Sequence, residues 1–520
     1  MVAVYEFFDR GWRIDPNAIA YVKGDERYSF QEARDLTCQV SNALLSGGFE
    51  TGTKAAILSP NDIRSWLCVI GLWRAGGVWV PLNPATSAAE NATLAERFDC
   101  EVLFYHEDLA EDAKALIEQA NIRLAIRIDD APSDTSSLAR WIADSSTEAP
   151  GIDFEMTDVI AISPSGGTTG APKGAMNTHR SFATAFAHLM MAYQYSEDER
   201  IVNLAAAPMT HTSGILSLPA TARGGTVVVL TKPDPAHLVE AIANFGVTEF
   251  FLPPTVVYRL LSYVEDATDP VDLSSMRYLI YAAAPMSTDK LKRALEVFGP
   301  IMTEAYGQIE APAAIAYMRP EEHFRDGVIA HDDHLQSCGR PYPLIELEIR
   351  DDQGKSLATG ETGEICVRGD MVMAGYYKEP EKTADTIRDG WLHTGDVGFL
   401  DGRGYLHITD RKKDMIISGG FNVYPTQVEQ AIFTYPGVHE CAVVGVPHEE
   451  WGEAVWAVVE PEPGIEINVS ALLAHCRQQL GGVRTPKGVD VVESVPRSPN
   501  GKVLRRAVRD RYWTTANRSI

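Results

Sequence analysis

Apolar runs of four or five residues alternate with longer stretches whose apolar positions recur every three or four residues, across most of the chain. The runs at 54–58, 159–163, 226–230, 249–252 and 278–282 have the length of buried strands and are bounded by turn-forming residues. The stretch 181–193 sets Phe182, Phe186 and Met190 four apart beside Leu189, which is one face of a helix. Strands alternating with helices predict an α/β fold, with β-sheets flanked by helices.

From about residue 396 the pattern changes. Asp401-Gly402 marks a tight turn between strand-like runs at 397–400 and 405–409. A charged tetrad, Arg411-Lys412-Lys413-Asp414, follows. Thr426 and Glu429 have capping-box spacing at the start of a short helix with Val428, Ile432 and Tyr435 inward and Pro436-Gly437 at its end. Runs at 441–446 and 455–459 and a helix at 470–480 complete a small α+β unit. The division expected is a large N-terminal α/β part, 1–411, and a small C-terminal domain, 412–520.

Length fits this organisation, since 520 residues at roughly 150 per domain give two to four domains. The net charge of −25 argues against nucleic acid or an anionic membrane surface as partner, because such a surface repels phosphates. A polyanionic ligand must therefore be held by a local pocket. Seven scattered cysteines with no CxxC pair support neither a disulfide framework nor a zinc cage. Residues 1–16 lack a signal peptide's apolar segment, and Arg74 interrupts the best apolar run, 69–80. A cytoplasmic chain with no membrane span, monomeric or homodimeric, is expected.

The densest chemical signal is Ser165-Gly-Gly-Thr-Thr-Gly-Ala-Pro-Lys-Gly174. Gly166, Gly167 and Gly170 expose backbone N–H groups, Ser165, Thr168 and Thr169 add hydroxyls, and Lys173 adds a point charge. A polyphosphate needs this combination. The segment is neither a Walker A loop nor GxGxxG.

This segment resembles the phosphate loop of the adenylate-forming superfamily, which comprises acyl- and aryl-CoA synthetases, luciferases and peptide-synthetase adenylation domains. The resemblance continues in order along the chain, through Pro208-Met-Thr-His-Thr-Ser-Gly214, Tyr281-Ala-Ala-Ala-Pro-Met286 and Tyr306-Gly-Gln-Ile-Glu310. Ser337-Cys-Gly-Arg-Pro341, Gly363-Glu-Ile365 and Gly375-Tyr-Tyr377 follow. Trp391-Leu-His-Thr-Gly-Asp396, Asp410-Arg-Lys-Lys-Asp414, Ser418-Gly-Gly-Phe-Asn-Val-Tyr-Pro425 and Pro499-Asn-Gly-Lys502 complete the set.

The resemblance implies activation of a carboxylic acid by ATP with Mg²⁺, followed by transfer to coenzyme A. Phosphoryl chemistry of this kind rests on positioning and charge neutralisation. The loop from Ser165 to Gly170, with Lys173, is implied to hold the phosphates, and Thr168 and Glu310 the Mg²⁺. Ala284, Pro285, Tyr306, Gly307, Gln308 and Ile309 are implied to surround the nucleotide, and Asp396 and Arg411 its ribose. Lys502 is assigned to the α-phosphate and the incoming carboxylate. Lys413 matches the hinge about which the small domain turns, and Gly419, Gly420 and Phe421 the coenzyme A path. His211 is implied either to line the acyl pocket or to gate the thiol channel.

One position departs from the family pattern. Ile309 stands where Thr or Ser is usual, so a hydroxyl contact to the AMP phosphate is missing or is supplied by Gln308 or a loop threonine. The departure bears on the efficiency of adenylation.

The acyl pocket is expected to draw on His211, Thr212, Gly214, Phe251, Leu252, Tyr281, Ala282, Ala283 and Gly307. Residues 208–214 contain no carboxylate for a substrate ammonium, and these segments contain no arginine for a second carboxylate. An aromatic, alicyclic or medium-chain monocarboxylate is expected. Free coenzyme A is favoured as acceptor over a carrier protein.

Overall fold

The computed structural model describes residues 2–129, 137–165, 172–419, 421–448, 450–497 and 502–513, with the side chains of residues 211, 313 and 314 outside the description. The loop residues Gly166, Gly167, Thr168, Thr169 and Gly170, together with Gly420 and the side chain of His211, therefore lie outside the described residues.

Among the described residues, two large sheets form the N-terminal part. The nine-stranded sheet runs in the order Arg340–Pro341, Ala311–Met318, Met302–Gln308, Tyr278–Ala282, Glu249–Leu252, Val202–Ala205, Thr226–Val229, Ile19–Lys23, Glu26–Ser29. Its centre is parallel and both borders are antiparallel. The seven-stranded sheet runs Gly375–Tyr376, Lys173–Thr178, Val159–Ser165, Val78–Pro81, Lys54–Leu58, Val102–Tyr105, Leu124–Arg127. Strands 54–58, 249–252 and 278–282 fall where their apolar runs predict, since four or five buried residues in succession suit a parallel strand covered on both faces. The helix His179–Ala192 buries Phe182, Phe186 and Leu189, as its period requires.

A third, antiparallel sheet carries Glu346–Arg350, Gly363–Arg368, Trp391–Leu400, Ile387–Arg388 and Leu406–Arg411. After the turn at 411–414 the chain builds a separate sheet, Phe421–Val423, Ile416–Ser418, Gly452–Pro461, Val438–His448 and Gly488–Val491. Helices Pro425–Phe433, Val469–Arg484 and Arg505–Trp513 pack on it around its own buried apolar clusters. The architecture is the α/β body with a small α+β C-terminal domain that the sequence pattern predicts.

The capping box expected at Thr426 and Glu429 does not form. The helix starts two residues earlier than a Thr426 cap would set it, at Pro425, with no side-chain hydrogen bond from its N-cap residue Tyr424. The Thr426 backbone N–H instead donates to Asp410 Oδ2 at 2.7 Å, from the third sheet's last strand. Glu429 is drawn into the interior, where its carboxylate accepts from the Val443 N–H at 2.9 Å and pairs with Arg505. A half-buried arginine competes for that carboxylate more strongly than one backbone N–H at a helix start.

Candidate active site

Residues singled out in the sequence converge at the ends of the nine-stranded and third sheets. Strands Trp391–Leu400 and Leu406–Arg411 pair in a register that sets Asp396 opposite Arg411. The Arg411 guanidinium lies 2.9 Å from Asp396 Oδ1, and the Tyr306 hydroxyl donates to Asp396 Oδ2 at 2.6 Å. Asp396 is buried at 3% exposure, so these two partners carry most of its compensation. Burial and then the Asp396 charge push the Tyr306 phenol well above its ordinary range, so it stays a donor.

Lys502 belongs to the same neighbourhood. Its pKa is pushed down to about 8, first by the protein packed around it and then by Arg411, against the pull of Asp396. The side chain keeps a solvent-exposed surface, which softens the first cause, and the charges of Arg411, Arg505 and Lys413 act in the same direction. Lys413 sits in the turn closed by the Asp414 N–H to Arg411 carbonyl bond of 2.9 Å. A cavity of about 300 Å³ opens there, lined by Thr394, Gly395, Arg411, Lys412 and Lys413.

The segment implied to hold phosphate is flanked by two paired strands. The ladder between Val159–Ser165 and Lys173–Thr178 runs as far as Ser165 opposite Lys173. Lys173 Nζ stands 4.4 Å above the Tyr376 ring, and the Tyr376 hydroxyl donates to Glu310 Oε1 at 2.8 Å. Tyr376 thus links this lysine to the carboxylate at the end of Met302–Gln308. Its own strand pairs with Lys173–Thr178, which fixes its height.

Gln308 and Ile309 divide the next positions. Ile309 packs against a small apolar cluster of Ala175, Met373 and Tyr376. The register of Met302–Gln308 against Ala311–Met318 shifts between Tyr306 and Gln308. Gln308 Nε2 is buried, with no hydrogen-bond partner among the described residues. An unsatisfied buried amide costs on the order of 1–3 kcal/mol and calls for an explanation.

The expected acyl-pocket residues separate. Phe251 and Ala282 belong with the core between the two large sheets. Leu252 and Tyr281 fall in a different core, among helices Pro235–Phe245, Pro254–Glu265 and Thr288–Phe298. Strand alternation dictates the split, since neighbouring residues face opposite ways. The Tyr281 hydroxyl donates to Glu304 at 3.0 Å and lies 3.0 Å from His323 Nε2. Burial raises the Glu304 carboxyl to about 8 and lowers His323 to about 4, so both are neutral. The side chains of Leu252 and Tyr281 thus lie apart from those of Phe251 and Ala282. Ala283 and Pro285 are exposed and Ala284 half-buried, with Ala283 at φ 71°, a conformation that costs a residue with a side chain.

Gly214 opens a helix after an irregular turn. Met209–Ser213 forms a wide π turn, closed by the Ser213 N–H to Pro208 carbonyl bond, that leads into helix Gly214–Thr221. Gly214 is buried against Trp66. It serves close packing, while Thr212 is half-buried. Asn61, absent from the sequence reasoning, clamps this turn: its carbonyl accepts from the Met209 N–H at 2.7 Å, and its amide donates to the Ala207 and Leu230 carbonyls. Only the tertiary fold brings Asn61 there, 148 residues away in sequence.

Glu364, His393 and Cys366 offer three ligand-type atoms within 4.8 Å of one another. Lys412 Nζ lies 3.4 Å from the same Glu364 oxygen that accepts from His393. An ammonium thus fills the place a cation would take, and the group braces the hinge strand. In the small domain, Gly419 turns at φ 58° beside Trp451, and Phe421 is 61% exposed.

The AMP-binding enzyme model matches residues 8–377, and the AMP-binding enzyme C-terminal domain model matches residues 427–502. The chain belongs to the AMP-binding enzyme family. It is an adenylate-forming enzyme of the acyl-CoA synthetase type. The medium/long-chain-fatty-acid–CoA ligase FadD8 of Mycobacterium tuberculosis is 35% identical over 96% of this chain and 88% of its own. The feruloyl-CoA synthase of an Amycolatopsis species is 34% identical, over 96% and 97%. Among solved structures, the amide bond synthetase McbA from Marinactinospora thermotolerans superposes with a TM-score of 0.87 at 29% identity, covering 98% of this chain and all of that one. Among the described residues, no helix is long and apolar enough to cross a membrane.

A Cβ on Gly214 would stand 2.2 Å from the Met209 carbonyl oxygen and 2.4 Å from the Trp66 ring. Gly214→Ala should therefore destabilise the N-terminal part by about 1–3 kcal/mol through overpacking. Thermal denaturation checks this, and an unchanged midpoint would mean that the π turn yields freely.

Proposed function

We propose that the protein is an ATP-dependent carboxylic acid–coenzyme A ligase. A carboxylate oxygen attacks the α-phosphorus of ATP and pyrophosphate leaves. The thiol of coenzyme A then attacks the acyl carbon and AMP leaves. The observation that carries this reading is the convergence of Tyr306, Asp396, Arg411 and Lys502, with the Lys173–Tyr376–Glu310 chain on the neighbouring strands.

In this reading the Tyr306 face, with Ala284, Pro285 and Gly307, receives the adenine, and Asp396 and Arg411 hold the ribose. Asp396 accepts one hydrogen bond, from Tyr306, and pairs with Arg411; a carboxylate has about four acceptor positions, so the sugar joins these partners without displacing them. Lys173, Thr168, Thr169, Gly170 and the Ser165–Gly167 stretch bind the β- and γ-phosphates. Glu310 suits Mg²⁺, because the Tyr376 hydroxyl engages one hard oxygen and steadies the carboxylate, while the other has no partner among the described residues. The ion, when bound, neutralises phosphate charge. Lys502 stabilises charge on the α-phosphate oxygens and orients the incoming carboxylate.

The domain boundary falls at 411/412, and Lys413 absorbs the rotation that exchanges Lys502 for the Gly419–Phe421 face. Gly419 and Gly420 then let the thiol arm approach the backbone closely, with His211 and Thr212 beside its path. Seven buried, unpaired cysteines suit a reducing cytoplasm. The substrate is a monocarboxylate with an apolar body, aromatic, alicyclic or medium-chain, against Phe251 and Ala282. Acid, ATP, Mg²⁺ and coenzyme A should yield acyl-CoA, AMP and pyrophosphate, with a pyrophosphate-release screen over such acids identifying the substrate. ADP and orthophosphate as products would overturn the mechanism.

The phosphate donor missing at Ile309 is Gln308. Its buried amide has no partner among the described residues and so has a donor to offer, while Ile309 is committed to the Met373–Tyr376 cluster. Gln308→Leu should slow adenylation by about 2- to 12-fold, the worth of one neutral hydrogen bond. Ile309→Thr should give no gain. Single-turnover adenylation of both variants decides it: a rate increase in Ile309→Thr would return the role to position 309.

Lys502 must be charged to act on the phosphate. Its protonated form prevails only below about pH 8 in the free enzyme. The kcat/KM for adenylation, which reports the free enzyme, should fall as pH rises through that value. Bound ATP, being anionic, moves the fall in kcat to higher pH. A kcat/KM that stays flat to about pH 10 would remove Lys502 from the chemistry, since even an ordinary lysine is half deprotonated near there.

A further inference from the structure

Asp410 closes the third sheet's last strand, opposite Val397 and one residue before Arg411. It is 3% exposed. Every polar contact its side chain makes beyond its own strand crosses the hinge. Oδ2 accepts from the Thr426 N–H at 2.7 Å, at the open start of helix Pro425–Phe433. Oδ1 accepts from Arg505 Nη1 at 3.2 Å, besides the adjacent Arg411 N–H at 2.7 Å. Arg505 opens helix Arg505–Trp513 and lies three residues after Lys502. It is held in turn by the Glu429 carboxylate and by Thr426 Oγ1 at 3.0 Å.

We propose that Asp410 is a positioning residue for Lys502: it latches the small domain in the orientation that presents this lysine, and the latch opens when the domain turns. The inference rests on the proposed two-step reading. Asp410 belongs to a strand of the large part, whereas Thr426, Glu429 and Arg505 move with the small domain. Rotation about Lys413 separates them, while the Arg505–Glu429 pair travels intact. The latch is therefore specific to one orientation. Lys290 and Glu462 also face each other across the two parts, but at 3.9 Å with both side chains exposed, which contributes little. A buried carboxylate that caps a helix and binds an arginine supplies the stronger bias. Burial raises its carboxyl to about 6, so it is ionised at neutral pH.

The test measures two half-reactions on Asp410→Ala, Asp410→Glu and a surface control, Glu462→Ala, with Lys502→Ala in parallel. Adenylation is followed as pyrophosphate release without coenzyme A, and the second step as thioester formation from supplied acyl-adenylate. Tryptic cleavage of the folded enzyme at Arg411, Lys412 or Lys413 reports the opened hinge, and thermal midpoints report folding.

Asp410→Ala should slow adenylation roughly tenfold or more, because a tenfold population shift needs no more free energy than one charge-assisted hydrogen bond supplies. It should leave the second step unchanged or faster and speed tryptic cleavage without lowering the thermal midpoint. Asp410→Glu should restore part of the adenylation rate, and Glu462→Ala should match the parent. Equal loss of both half-reactions in Asp410→Ala, or no loss in adenylation, would overturn the latch while Lys502→Ala still separated the two steps. Equal loss in Lys502→Ala would instead remove the two-step reading and the latch with it.

Discussion

The buried carboxylate of Asp396 is the point on which three parts of the molecule depend. One oxygen takes the Tyr306 hydroxyl from the nine-stranded sheet, and the other faces Arg411, the strand residue just before the turn into the small domain. Left without partners, a carboxylate at that depth would be driven out of its charged form. With them, it fixes the end of one sheet against the end of another and sets where the chain enters the hinge. The cavity at Thr394–Lys413 and the environment of Lys502 both follow from that junction.

Much of the fold was legible because it rests on local periodicity. Runs at 54–58, 249–252 and 278–282 became strands with those bounds, since a parallel strand buried on both faces needs a continuous apolar run. The ordered motifs likewise placed Tyr306, Asp396, Arg411, Lys173 and Glu310 on neighbouring elements. What escaped depends on contacts between residues far apart in sequence. Thr426 and Glu429 have the spacing of a capping box, but Asp410, sixteen residues upstream, occupies the helix start and Arg505 takes Glu429. Asn61 has no local signal that marks it as a clamp on residues 207–209. Leu252 and Tyr281 belong to the right segments, yet alternation turns them into the helical core.

Tyr376 illustrates a different kind of oversight. Its segment was recognisable, but its chemistry appears only in three dimensions, where its face carries Lys173 and its hydroxyl holds Glu310. The same ring forms a wall of the cluster that accepts Ile309. Packing thus accounts for an aliphatic residue at position 309, beside a buried Gln308 amide that has no partner among the described residues.

The borders of the nine-stranded sheet have a bearing on self-association. One border is a two-residue strand that includes Pro341, which has no N–H to offer an incoming strand. The other is the four-residue Glu26–Ser29, short and bearing charged Glu26 and Arg27. Neither presents a long, flat, apolar row of unpaired backbone groups. Two molecules that met along these outermost strands would find little ladder to extend.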